Sequence, residues 1–274
     1  MRSNSILMLC VLFMIIGSSV SLAIKVSPGV FTVNNVPVGE NTLLGIELKV
    51  HNNSDEVQQY EVSVIAPPET GNILEGYIPI PNTEFFYIEG ENEFEVPPRT
   101  VESRKMYCSI PDTTIYYNQK WEVSVTVSAG KGMLRTAVGT RYFIETVPKE
   151  TETAPYGDIG LSPSAITFGP EKLEGKVKIY NSTEKKLDLE LTPYIPEVKE
   201  SGGITIRPAV LGSFSEALFG VIEIEPEKIS VAPGGTAEIG ITCKEMPEEN
   251  SEVLIKIESE ETFDFIRVFY SAGQ

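Results

Sequence analysis

The sequence predicts an all-β chain of two tandem antiparallel β-sandwich domains, and three observations carry that prediction. Apolar and polar residues alternate in segment after segment, with almost no helical period. Turn residues punctuate these runs at short intervals, as in Asn52-Asn53-Ser54-Asp55, Pro67-Pro68, Pro97-Pro98 and Gly130-Lys131-Gly132. The second half of the chain repeats the first in the same order.

Each strand can be read from its own alternation. In Leu44 to His51, Leu44, Ile46, Leu48 and Val50 point one way and Glu47, Lys49 and His51 the other. Trp121, Val123, Val125 and Val127 alternate in the same manner with Glu122, Ser124, Thr126 and Ser128. Such strands bury one face and wet the other, the pattern of a sandwich or barrel.

The repeat shows in four matches. Ser27-Pro28 corresponds to Ser162-Pro163, and Leu48 to Asn52 corresponds to Val177 to Asn181. Phe94 to Pro98 corresponds to Ile229 to Pro233, and Arg141-Tyr142-Phe143 to Arg267-Val268-Phe269. Domains at 24–146 and 159–274 follow, joined by a polar, proline-containing linker at 147–158 that reads as short and semi-extended. Each copy also carries a less regular insert, Glu69 to Glu95 and Lys199 to Phe219, and these are the first places to expect a binding surface. Within the second, Ser213 to Phe219 could form one helical turn.

Residues 1–23 read as a secretory signal peptide: Arg2, an apolar stretch from Ile6 to Ile16, and the small-residue site Ser21-Leu22-Ala23. The apolar stretch is too short to span a bilayer, so cleavage and export are expected, with no membrane insertion afterwards. Periplasm, cell surface and extracellular space all fit. Acidic residues outnumber basic ones by 39 to 22, for a net charge of −17, which disfavours nucleic acid and anionic membrane surfaces as partners. Cys108 and Cys243 fall in different halves, so neither domain can close its own disulfide. Two buried thiols are expected, a bridge between domains being the alternative.

The segment Ile224 to Thr236, with its Pro233-Gly234 turn before the alternating Ala237, Ile239 and Ile241, resembles PapD-like and related prokaryotic immunoglobulin-like domains. The Ser-Pro opening strands and the strand-Asn-turn-strand units are similar to the same group. The resemblance implies immunoglobulin-like sandwiches. It also brings in pilus chaperones, which lend a strand edge to a subunit and anchor its terminal carboxylate with basic residues. Here the strand from Arg135 to Thr146 is the edge the resemblance implies, with Val138, Tyr142 and Ile144 on one face. Lys25, Arg135 and Arg141 are candidate cations by position.

Catalytic chemistry finds little footing. His51, the single histidine, falls on the outward face at a strand end, and no cysteine-histidine spacing suits zinc. Glu89, Glu91, Glu93 and Glu95 would share one side of an extended chain, a weak calcium candidate whose ordinary reading is a solvated hairpin. Asn52 and Asn181 begin N-x-Ser/Thr sequons at equivalent turns, open to glycosylation in a suitable host. The expectation is an exported, non-catalytic structural or adhesive module without cofactor, binding a protein or glycan at the cell envelope. A periplasmic pilus-type chaperone is the alternative, and a carbohydrate-active enzyme with paired carboxylates the second.

Overall fold

The computed structural model describes residues 24–68, 73–130, 135–195, 199–201, 204–206, 216–245, 247–260 and 262–272. The expected signal peptide at 1–23 and Ser213 to Ser215 of the second insert lie outside the described residues. In the first domain the strands are β1 (Lys25–Ser27), β2 (Val30–Val36), β3 (Asn41–His51), β4 (Gln58–Ile65) and β5 (Ile78–Pro79). They continue as β6 (Phe86–Ile88), β7 (Glu93–Val96), β8 (Val101–Ser109), β9 (Lys120–Ala129) and β10 (Thr136–Thr146). The second domain has β11 (Ile159–Ser162), β12 (Ala165–Phe168), β13 (Glu174–Asn181), β14 (Leu187–Tyr194), β15 (Lys199–Ser201) and β16 (Ile204–Ile206). It ends with β17 (Ile222–Glu225), β18 (Lys228–Val231), β19 (Thr236–Cys243), β20 (Ser251–Glu258) and β21 (Phe263–Tyr270).

Strand order repeats between domains. One sheet runs β1-β3-β8-β6 in the first and β11-β13-β19-β17 in the second. The facing sheet runs β2-β10-β9-β4-β7, with β5 against β9, and β12-β21-β20-β14-β18. In both, the opening strand changes sheets at the Ser-Pro step, where Ser27-Pro28 and Ser162-Pro163 are cis. It then runs parallel to the last strand, β2 to β10 and β12 to β21. These are two mainly antiparallel, immunoglobulin-like sandwiches, each with its opening strand parallel to its last, and β5 also runs parallel to β9 in the first. The less regular stretch from Glu69 to Glu95 proves partly ordered: β6 and β7 lie in it as regular strands. In the second insert a 3-10 turn occupies Glu216–Gly220, overlapping the expected helical turn.

Alternation places the core as read. Leu48, Val50, Met106, Val123, Val125 and Tyr142 fill the first sandwich, and Val177, Ile179, Ile239, Ile241, Val253 and Val268 the second. Each such side chain contributes roughly 1.5–3 kcal/mol by leaving water. Trp121 is fully buried, in contact with the rings of Phe85 and Tyr116. Cys108 and Cys243 are buried free thiols at equivalent positions, and burial pushes Cys108 up to about 12, which keeps it protonated.

Two matched pieces of the repeat touch in space. The Asn52 Nδ2 donates to the carbonyls of Glu56, Val96 and Pro97, while its Oδ1 accepts from Ser54 N and Oγ. Asn181 does the same with Lys185, Val231, Ala232 and Thr183. Each Asn staples its turn to the Pro turn opposite. The sequon reading is thereby corrected: Asn52 is 1% exposed and Asn181 2%, and neither amide has room for a glycan in the folded chain.

Candidate functional site

β10 carries the residues expected to form a strand edge, and its surroundings divide it in two. β9 pairs with it from Thr136 to Glu145, but β2 joins its other side only from Arg141 onward. The strand from Arg135 to Thr146, expected as an edge to lend, is therefore one only in its first half. Arg141, Tyr142 and Ile144 lie where β2 has closed the sheet, and Tyr142 and Ile144 are core residues. Among the described residues, Thr136 to Thr140 have a strand partner on one side alone. Arg141 N donates to Gly29 O, so by strand alternation Ala137 and Gly139 turn their backbone groups to the open side. Val138 is half-buried over the sandwich, and a side chain at Gly139 would meet nothing.

The cations near this strand are engaged by acids. Arg135 pairs with Glu61 at 2.6 Å, and Arg141 grips the buried Glu122 through Nε and Nη2, both at 2.6 Å. Glu122 also accepts from Leu74 N, pinning the first insert to β9. This Arg-Glu pair is duplicated: Glu122 lies opposite Phe143, as Glu252 lies opposite Phe269, and Arg267 pairs with Glu252.

In the second copy the pair is recruited to the domain junction. Arg267, 1% exposed, also takes Glu145 of the first domain, with Nε to Oε2 at 2.8 Å and a second contact from Nη2. Tyr77 Oη donates to the same carboxylate at 2.5 Å, and Lys120 reaches Asp264 at 2.8 Å. Around these charges pack Tyr77, Phe143, Leu254 and Phe265. Burial alone would raise Glu145, but the Arg267 guanidinium and its hydrogen bonds hold it below the usual carboxylate range. Burial raises Asp264 despite Lys120, and burial followed by the Glu145 charge pushes Tyr77 well above its ordinary value. No sequence pattern announced this junction, because Glu145 and Arg267 stand 122 residues apart.

The linker at 147–158 is packed against both domains, a property that its reading as short and semi-extended left open. Asn118 brackets Lys149 N and O, Thr151 N donates to Ser162 Oγ, and Tyr180 Oη donates to Thr151 O. Between linker, first insert and β21 lies a cleft of about 890 Å³, lined by Leu74, Ile78, Tyr156 and Phe263 among others.

The remaining candidates separate. His51 Nε2 lies 3.5 Å from Ser27 Oγ, a neighbour the sequence did not suggest. Partial burial, then Lys25 and Lys49, lower its pKa. The glutamate run is not one extended face: Gly90, with φ +93, turns the chain, and Arg104 donates to the Glu89 and Glu91 carbonyls. Among the described residues no His, Cys, Asp or Glu cluster is arranged to hold a metal.

No family model and no curated protein matches the chain in sequence. Similar solved structures include a protein of unknown function from Porphyromonas gingivalis, at 12% identity and TM-score 0.36, covering 90% of this chain and 99% of that one. Another is the E. coli chaperone DraB, at 12% identity and TM-score 0.30, covering 92% and 97%. A third is the CsuC-CsuE chaperone-tip adhesion subunit complex of Acinetobacter baumannii, at 8% identity and TM-score 0.33, covering 92% and 100%.

Proposed function

We propose that this is an exported, non-catalytic protein that binds an extended segment of a partner protein along the open half of β10, in the manner of a strand-lending assembly chaperone. The observation that carries the reading is the one-sided pairing of Thr136 to Thr140. An unpaired backbone edge is a template for another strand, and main-chain hydrogen bonds supply its affinity. The domain junction supports the reading by holding the two sandwiches in one arrangement. With Arg141 and Arg135 committed to Glu122 and Glu61, the backbone edge carries the binding, and a clamp on a terminal carboxylate is not required. This reading narrows the expected adhesive or structural module to a protein binder.

Gly139→Pro tests it. The substitution removes the N–H that Gly139 turns to the open side, and a Cβ there meets no neighbour. Wild-type protein and the variant are used to capture partners from the host's envelope fraction, with thermal unfolding as the control on folding. A protein retained by the wild type and lost by a folded Gly139→Pro variant is expected. Equal retention by both would sink the reading.

A further inference from the structure

The duplication provides an internal control for surface function, because both copies solve the same folding problem. In the first domain Leu43 of β3 lies opposite Tyr107 of β8, which lies opposite Tyr87 of β6. The same three positions in the second domain are Glu174, Thr242 and Glu223. The fold is thus satisfied by Glu-Thr-Glu, and nothing in the core demands Leu-Tyr-Tyr. All three alternate with inward residues, and Leu43 is 49% exposed and Tyr87 37%.

A second difference sits beside the first. Between Leu43 and Glu47, β3 sets three residues against the single Met106 of β8, and Gly45 at the bulge has φ +70. The β13-β19 pairing runs unbroken from Glu174 to Tyr180. The bulge, where β1 leaves β3 for the other sheet, opens a recess of about 560 Å³ lined by Pro28, Leu43, Ile46, Lys49 and Lys105, with Glu47 its one acid. In the second domain the corresponding Gly175 is covered by Ile166, whose Cδ1 lies 2.7 Å from where a Cβ would stand.

We propose that this outer face of β3, β8 and β6 docks a partner protein that presents an apolar side chain flanked by carboxylates. The row and the recess take the apolar group, and Lys49 and Lys105 at the rim favour acids, in a chain whose net charge is −17. A second copy fits poorly, since a two-fold contact would set these lysines against their own images. A sugar stacks on open ring faces, and one face of each of Tyr87 and Tyr107 is taken by the other, the rings lying 5.2 Å apart at 8°. The face belongs to the sheet opposite β10, so it is separable from the edge proposed above.

The test pans a displayed random-peptide library against the protein and against a variant carrying Leu43→Glu, Tyr107→Thr and Tyr87→Glu, the second domain's own residues. Tyr107→Thr alone serves as a second variant, and thermal unfolding checks that both fold. Peptides with Leu or Phe flanked by Asp or Glu should be enriched, should lose about tenfold or more in affinity on the variants, and should tolerate Gly139→Pro. Peptides indifferent to the variants, or rich in Lys and Arg, would overturn the proposal. So would self-association or glycan-array binding abolished by the variants. Peptides lost only with Gly139→Pro would leave the β10 edge standing and remove this face.

Discussion

At the scale of single residues, Asn52 and Asn181 show how one side chain replaces several backbone partners. Each amide donates to three carbonyls, at 2.7 to 3.1 Å, and the bonds to Val96 and Val231 are buried. Truncation to Ala leaves those acceptors unmet, and one such loss costs about 1–3 kcal/mol. Asn52→Ala and Asn181→Ala should therefore each lower the denaturant midpoint by comparable amounts, read from urea unfolding. An effect within about 0.5 kcal/mol, the range of ordinary surface changes, would remove the staple from the account. The two asparagines were legible in the sequence, but their task was not. Ser54 and Thr183 donate to the Asn Oδ1 at 2.7 Å, so the turn itself asks for Asn-x-Ser/Thr, the same spelling as a sequon. The deciding partners stand up to 51 residues away.

At the scale of elements, alternation gave the faces of β3, β9 and β10 but could not say which strands lie alongside them. Val138 and Tyr142 share parity, yet one lies on an open half-edge and the other under a closed one, because the crossing of β2 is a long-range event. The bulge in β3 was equally hidden: its two extra residues preserve parity, so the apolar pattern runs through it undisturbed. The copies should consequently answer differently to added bulk. At Gly175 a Cβ falls 2.7 Å from Ile166, so Gly175→Val should overpack the second sandwich and cost about 1–3 kcal/mol. At Gly45 a Cβ meets nothing, and Gly45→Ala should cost only the left-handed backbone preference, about 1–2 kcal/mol. Calorimetry of both variants checks the contrast, and a costlier Gly45→Ala would mean the recess is filled by neighbours on relaxation.

At the scale of the whole molecule, the two sandwiches are joined by buried charge, and the sign of each group's shift fixes how the joint responds to acid. Glu145 is held below its ordinary 4.5 by Arg267 against the penalty of burial, so its contribution is present above that value and is lost as pH falls through the folded one. Asp264 is raised above 3.8 by burial, so its penalty is relieved as pH falls through its folded value. The junction should tolerate mild acid, then weaken below about pH 4.5 as Glu145 takes its proton. Arg267→Met should reverse that response. It leaves Glu145 and Glu252 buried without their guanidinium, a loss of about 3–5 kcal/mol at neutral pH, and burial of Glu145 is then opposed only by Tyr77 and Lys120. The variant should accordingly gain stability on acidification over the range where the wild type is flat or losing it. Adding Glu145→Gln to Arg267→Met should recover part of the neutral-pH loss, because it removes one stranded charge. Scanning calorimetry between pH 4 and pH 8 reads all three: one transition is expected for the wild type and two for Arg267→Met at neutral pH, as the domains unfold separately. A single, merely lowered transition with unchanged pH dependence in Arg267→Met would show that Tyr77, Phe143, Leu254 and Phe265 hold the junction on their own.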